Sequence, residues 1–344
     1  MEFKEKYLKY KMKYTDLKIK QNIFNFLGGA CEKNKNFNYA DLSSVLDYAK
    51  NRYECTEDKK TGQKYLVILY GPPASGKTIA RKLASMYIKK HFNESLSHEE
   101  IYKSFIDTGV DDLVYDAYYA ENPGKPDLSV KQQMINTVNA YFKHQNISDD
   151  QRLVHVKEND VSGTDFTNNV MNVNSNTYFG YRGTKRIDDL SALLAVIATY
   201  TNHNVFFEIA SPSIDYINKL IGTLYWGYNI VFIYPHTDKY ELLVERSYTR
   251  GLLEGRFVSK EILTGKAKAC IDAYNTLVKK GEKSDEDSDS KKAIQTMYDI
   301  HKNIMILRYD TELPELYSKI NDYTLDLDSP EWKGKVKEFD IKRS

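Results

Sequence analysis

Six apolar residues, Tyr65-Leu66-Val67-Ile68-Leu69-Tyr70, run directly into Gly71-Pro72-Pro73-Ala74-Ser75-Gly76-Lys77-Thr78. A continuous, partly β-branched run of this kind reads as a strand buried on both faces, as in a parallel sheet. The segment after it matches G-x-x-x-x-G-K-[ST] at every required position, the spacing known as a P-loop. A helix follows from about Thr78, with Ile79, Leu83, Met86 and Tyr87 on one face. Strand, glycine-rich turn and helix in that order constrain the fold more than any other part of the chain.

The remainder continues the alternation. Strands are expected at Phe105–Val110, Val205–Ile209, Asn229–Tyr234 and Ile304–Arg308. Helices are expected near 188–201 and 214–226, and a long one opens near Thr237 with Asp238 in its first turn. The expected fold is therefore α/β, a doubly wound and mostly parallel sheet of P-loop NTPase type over residues 65–330. A chain of 344 residues has room for one such domain with appendages.

Residues 1–29 form a basic, aromatic extension. Phe3, Tyr7, Tyr10, Tyr14, Leu17 and Phe24 keep near-heptad spacing among lysines, which predicts an amphipathic helix ending at Gly28-Gly29. It either packs on the domain or meets a protein partner or surface. Residues 30–64 read as a helical lead-in, 113–185 as a polar, Asn-rich insertion, 281–292 as an acidic mobile loop, and 331–344 as a tail.

Composition then narrows the function classes. Lys+Arg 49 against Asp+Glu 48 gives a net charge of +1, so nothing in the overall charge draws the chain to nucleic acid or membrane. Cys31, Cys55 and Cys270 form no CxxC pair, which argues against a disulfide framework or zinc site. No apolar run approaches the roughly 18 residues a membrane span needs. The charged start carries no secretory signal, so a cytoplasmic location is expected.

The P-loop residues suit one kind of ligand. Glycines let backbone approach phosphate oxygens, successive amides form an anion nest, and the helix adds its positive end. Lys77 would supply charge to the β- and γ-phosphates of ATP or GTP, and Thr78 a hydroxyl to Mg²⁺. Asp111 and Asp112, at the end of the strand Phe105–Val110, could reach an acceptor hydroxyl, with Asp107 the alternative if the strand ends earlier. Glu208, in the strand end Phe206-Phe207-Glu208-Ile209-Ala210-Ser211, needs a partner if buried. Arg246, Arg250 and Arg256, late on a helix and in a glycine-containing turn, suit a lid over phosphates. Tyr178, Phe179, Tyr181, Tyr225 and Trp226 are candidates to stack on a base, against the ordinary alternative that they pack.

The order of P-loop, strand-end Asp, FFEIAS and ERSYTRGLLEGRFVSKE resembles the zeta-toxin family of P-loop kinases over residues 65–310. Those enzymes phosphorylate UDP-N-acetylglucosamine and related nucleotide-sugars. The resemblance implies a Mg-dependent kinase with a small-molecule acceptor. It implies Asp111 or Asp112 as the base, Glu208 and Arg186 as substrate-binding residues, and Arg246 and Arg256 on the ATP phosphates. Where the family has glycine after the acidic residue, this chain has Ile209-Ala210. The opening KYLKYKMKYTDLK also resembles one shared by proteins of giant amoeba-infecting DNA viruses, which implies a virus factory or virion.

Two other readings stand beside this one. A polynucleotide-end kinase would place a basic groove near the acceptor, with Lys143, His144 and Arg152 available. A non-catalytic, nucleotide-binding interaction protein would keep the fold without the chemistry.

Overall fold

The computed structural model describes residues 47–49, 61–121, 130–159, 182–183, 186–210, 214–281 and 301–340. The expected helix at 1–26, the acidic segment 282–292 and the aromatics Tyr178, Phe179 and Tyr181 lie outside them.

β1 (Tyr65–Tyr70) is buried along its whole length, as its sequence requires. It leads through the glycine-rich turn into α1 (Lys77–His91), then α2 (His98–Lys103), β2 (Phe105–Asp107) and α3 (Val110–Glu121). Next come α4 (Val130–His144), α5 (Arg152–Glu158), α6 (Ile187–Tyr200), β3 (Asn204–Ile209), α7 (Ile214–Thr223) and β4 (Asn229–His236). The chain continues through α8 (Tyr240–Glu254), α9 (Lys260–Gly281), β5 (Asn303–Asp310), α10 (Pro314–Asn321) and β6 (Val336–Asp340).

The sheet order is β2-β3-β1-β4-β5-β6. The first five strands are mutually parallel, and β6 pairs antiparallel with β5. Because side chains alternate along a strand, β1 serves two cores. Leu66, Ile68 and Tyr70 pack with Leu194 of α6, Ile217 of α7 and Cys270 of α9. Tyr65, Val67 and Leu69 pack with Leu83 of α1, Ile101 of α2 and Leu316 of α10. Full burial of each such aliphatic side chain contributes about 1.5–3 kcal/mol. Helices thus cover both faces, which makes the architecture doubly wound. A separate cluster of Val138, Phe142, Val156, Tyr248 and Phe257 joins α4, α5 and α8.

The chain leaves β1 for β2 on one side of it and returns through β3 before crossing to β4. That reversal opens a crevice at the carboxyl ends of β1 and β3, where such sheets bind ligands.

Several boundaries differ from the sequence expectation. β2 stops at Asp107 instead of Val110, because the Asp107 side chain accepts the Gly109 N–H at 2.9 Å and turns the chain. Asp111 and Asp112 therefore sit in the first turn of α3 and not at a strand end. α8 opens at Tyr240, not near Thr237, because Glu312 holds the lead-in by accepting from the amides of Asp238 at 2.8 Å and Lys239 at 3.1 Å. The polar stretch contains α4 and α5, whose Val138, Phe142 and Val156 are buried. Residues 336–340, within the segment read as a tail, supply β6, with Phe339 opposite Ile306.

Candidate functional site

The carboxyl ends of β1, β2 and β3 border a cleft of about 1110 Å³. Its floor is the turn from β1 to α1. The turn is anchored by Gly71 N–H donating to Ile209 O at 3.1 Å and Ser75 N–H to Pro72 O at 3.3 Å. Ala74 and Gly76 take positive φ, 62° and 93°, the left-handed geometry that turns successive amides toward one concavity. At Gly71 a Cβ would lie 2.8 Å from Ser75 Oγ and 3.2 Å from Pro235, so a larger residue would have to displace both side chains. The Tyr309 hydroxyl fixes the far end by donating to Gly76 O at 2.8 Å.

Lys77 folds back over this turn. Its Nζ donates to Gly71 O and Pro72 O, each at 3.0 Å, and lies 3.4 Å from Glu208 Oε1. Thr78 is exposed in the cleft beside it. One turn along α1, Arg81 bridges the tips of two strands. It pairs with Asp107 at 2.5 and 3.1 Å and with Glu208 at 3.3 Å. Burial raises the Asp107 carboxyl above its ordinary range, against the lowering pull of Arg81 and the Gly109 amide.

The opposite wall is built from α3, α6, α8 and α9. Asp111 is held in a bidentate pair by Arg256, at 2.5 and 2.9 Å, and is reached by Arg250 at 3.1 Å. Arg250 also donates to Glu254 at 2.7 Å. Arg246 donates through Nη2 to Thr311 O at 2.7 Å. Arg182 makes a bidentate pair with Asp188, at 2.9 and 2.7 Å. Lys266 of α9 lines the same wall. Burial lowers its pKa, and the positive charges of Arg182 and Lys77 add to the shift.

Three buried polar atoms in the residues that line this cleft have no hydrogen-bond partner: Ser75 Oγ, Arg81 Nε and Arg246 Nη1. Such atoms cost about 1–3 kcal/mol each when left unpaired, and together they mark a place for an acceptor-rich ligand. Among the described residues no cluster of three or more His, Cys, Asp or Glu forms a metal cage. The donors here are instead the Thr78 hydroxyl and the Glu208 and Asp107 carboxylates, which all line the cleft. Those hard oxygens fit Mg²⁺, which takes one or two protein ligands and completes its shell with water and phosphate.

The cleft brings together Lys77, Thr78, Asp111, Asp112, Glu208 and Arg246 from the sequence-predicted set, along with Ala74, Ser75 and Gly76. Gly71, Pro72 and Pro73 shape the turn without lining the cleft. Arg256 stands outside the lining, behind Asp111. Arg186 is 80% exposed, paired with Asp189 and likewise outside the lining, and Arg182 takes the place expected of it. Neither Tyr225 nor Trp226 lines the cleft, and neither do Lys143, His144 and Arg152. Arg81, Arg182, Lys266, Tyr216 and Tyr317 belong to the site but escaped sequence reasoning. Arg81 carried a signal, since it lies on the face of α1 that follows Lys77 by one turn.

The fold and cleft define a class: an α/β protein with a doubly wound, mostly parallel sheet and a glycine-rich turn facing a cleft of mixed charge. Within it, the chain belongs to the same family as Uncharacterized protein L872 of Acanthamoeba polyphaga mimivirus. The two are 32% identical over 313 residues, covering 88% of this chain and 80% of that protein. No protein-family profile matches the sequence, and no solved structure matches it. Among the described residues no helix is long and apolar enough to cross a membrane.

Proposed function

We propose that this cleft binds Mg·ATP or Mg·GTP and transfers the γ-phosphate to the hydroxyl of a small acceptor, as in the zeta-toxin kinases. The observation that carries the reading is the Lys77 ammonium, folded onto Gly71 O and Pro72 O at the head of α1 with Glu208 beside it. The first amides of α1 have no intrahelical acceptor and carry the positive end of its dipole, which suits phosphate oxygens. Tyr317, 40% exposed, and Pro314 border the same end of the cleft and offer an apolar face to the base. Mg²⁺, held by Thr78 and the phosphates, supplies charge neutralisation when bound.

In this reading the acceptor oxygen attacks the γ-phosphorus while the bond to the β,γ-bridging oxygen breaks, and the acceptor proton passes to a carboxylate. Asp107 suits that role best. It lies at the tip of β2, lines the cleft, and its raised pKa brings it closer to working pH. Asp111 is clamped by Arg250 and Arg256 and serves to position them. Arg246, with an unpaired Nη1, faces the charge that spreads over the transferring group. A nucleotide-sugar or nucleotide is the favoured acceptor, by resemblance to the zeta toxins.

The test is transfer of labelled γ-phosphate from ATP with Mg²⁺ to a panel of UDP-sugars, nucleosides and 5′-hydroxyl oligonucleotides. Wild type should label one acceptor class, and Lys77→Ala should abolish labelling without lowering thermal stability. Label on oligonucleotides alone would favour an end kinase. Nucleotide binding without labelling of any acceptor would refute the kinase reading and leave a binding protein.

A further inference from the structure

Lys266 stands where the pattern of α9 calls for an apolar residue. Leu263, Ala267, Cys270, Ala273, Tyr274 and Leu277 form the buried stripe of that helix. Lys266 lies on the same stripe, three residues after Leu263 and four before Cys270. Cys270 Sγ sits 3.6 Å from Ala210 O, so this turn of α9 is seated against the carboxyl end of β3. The lysine is half-buried and lines the cleft.

The strongest charges around it are of its own sign, with Asp188 a weaker opposing pull. The two charges that bear on it most are Arg182 and Lys77. Lys77 has Glu208 at 3.4 Å and Arg182 has Asp188 at 2.7 Å. Among the described residues no carboxylate pairs with Lys266. A half-buried ammonium facing two further cations is unfavourable until an anion completes the group. Tyr216 of α7, 38% exposed, lines the cleft within electrostatic reach of Asp188 and Asp189 of α6.

We propose that Lys266 and Arg182 form an anion subsite, distinct from the glycine-rich turn, that holds a phosphate group already present on the acceptor. The assignment of that anion to an acceptor rests on the phosphotransfer reading; the subsite itself rests on the placement of Lys266. Lys266 supplies a point charge and Arg182 a planar fork, while Lys77 is shared between this phosphate and the donor. Acceptors without a phosphate would bring Lys266 no counter-charge and bind weakly.

The experiment is calorimetric titration of AMP, CMP, GMP and UMP, and of the matching nucleosides, into the full chain saturated with Mg·AMP-PNP. At least one monophosphate should bind, with its nucleoside tenfold weaker or more. Lys266→Met should weaken the monophosphate at least tenfold while leaving AMP-PNP affinity and thermal stability unchanged, and Lys266→Arg should restore most of the loss. Equal binding of nucleoside and monophosphate, no binding of any monophosphate, or a Lys266→Met variant that binds like wild type would each overturn the subsite. If AMP-PNP fails to bind but a monophosphate binds in a Lys266-dependent way, the phosphotransfer reading falls and the anion subsite stands.

Discussion

One wall of the cleft is local and the other is assembled from distant pieces. On the first, residues 71–81 supply the turn, Lys77, Thr78 and Arg81, all held by backbone bonds within the β1–α1 unit and its neighbours. On the second, Arg182, the α8 pair Arg246 and Arg250, and Lys266 of α9 come from three segments, and the arginines are oriented by Asp188, Thr311 and Asp111. The first wall is set as soon as β1 pairs with β3 and β4. The part of the second that α8 carries, Arg246 and Arg250, depends on how α4, α5 and α8 pack on one another, through a cluster apart from the two sheet cores. A rigid cradle facing arginines on a separately packed group of helices suits a site that grips one ligand and closes on it.

If the chemistry belongs to the local wall and its strand tips, the largest effect should come from Asp107. Asp107→Asn removes the proton acceptor and is expected to lower kcat about 10²–10⁴-fold. Affinity for AMP-PNP, measured by calorimetry, should stay near wild type because Lys77 is held by Gly71, Pro72 and Glu208 and not by Asp107. Asp112→Asn, in the first turn of α3, should leave kcat within a few-fold. The reverse ranking would move the proton transfer to the α3 side and break the division drawn here.

The second wall should be the more fragile. Gly255 ends α8 at φ 76°, and a Cβ there would lie 2.4 Å from the carbonyl carbon and Cβ of Met134 on α4. Left-handed backbone costs a non-glycine residue about 1–2 kcal/mol, and overpacking adds about 1–3 kcal/mol. Gly255→Ala is therefore expected to lose about 2–5 kcal/mol in urea unfolding. Gly265→Ala on α9 meets nothing within 4 Å and should gain about 0.5–1 kcal/mol. A neutral Gly255→Ala would mean that α4 yields easily and that the arginine wall is not held by this contact.

The same division explains what could be read from the sequence. β1, the turn and α1 were legible because strand period, motif and helix start are contiguous, and Glu208 because an acidic strand end stands out in an apolar run. The end of β2 was not, since one side-chain bond, Asp107 to the Gly109 amide, stops the strand early and carries Asp111 and Asp112 onto a helix. α4 hid in a polar stretch, although Val130, Met134, Val138 and Phe142 recur every four residues. Arg186 was expected at the substrate through the zeta-toxin resemblance, but it is the left-handed cap of α6 and pairs with Asp189 outside the cleft. Lys266 left a legible trace, a lysine on an apolar stripe, whose meaning needed the seating of α9 against β3.

The smallest effect concerns the tie between the two walls, and pH exposes it. Glu312, just after β5, accepts from the Thr237 hydroxyl at 2.7 Å and from the Asp238 and Lys239 amides, and pairs with Lys239 Nζ at 3.0 Å. Partial burial opposes its ionisation, but these hydrogen bonds prevail and hold its pKa at about 2. A carboxylate with a folded pKa below its unfolded value of about 4.3 stabilises the protein above that value. The contribution fades as pH falls from there toward about 2, once the folded-state carboxylate itself takes up a proton. Glu312→Gln should therefore flatten the loss of stability measured by urea unfolding between about pH 5 and 2, and cost about 1.5–3 kcal/mol at neutral pH, the contribution of hydrogen bonds to a charged group. The lead-in 237–239 opens α8, which carries Arg246, and Arg246 bonds Thr311 beside Glu312. The variant should for that reason also raise KM for ATP slightly, while leaving the β1–α1 cradle unchanged. A Glu312→Gln protein with wild-type acid stability would show that the arginine wall is anchored to the sheet through Arg246 and Thr311 alone.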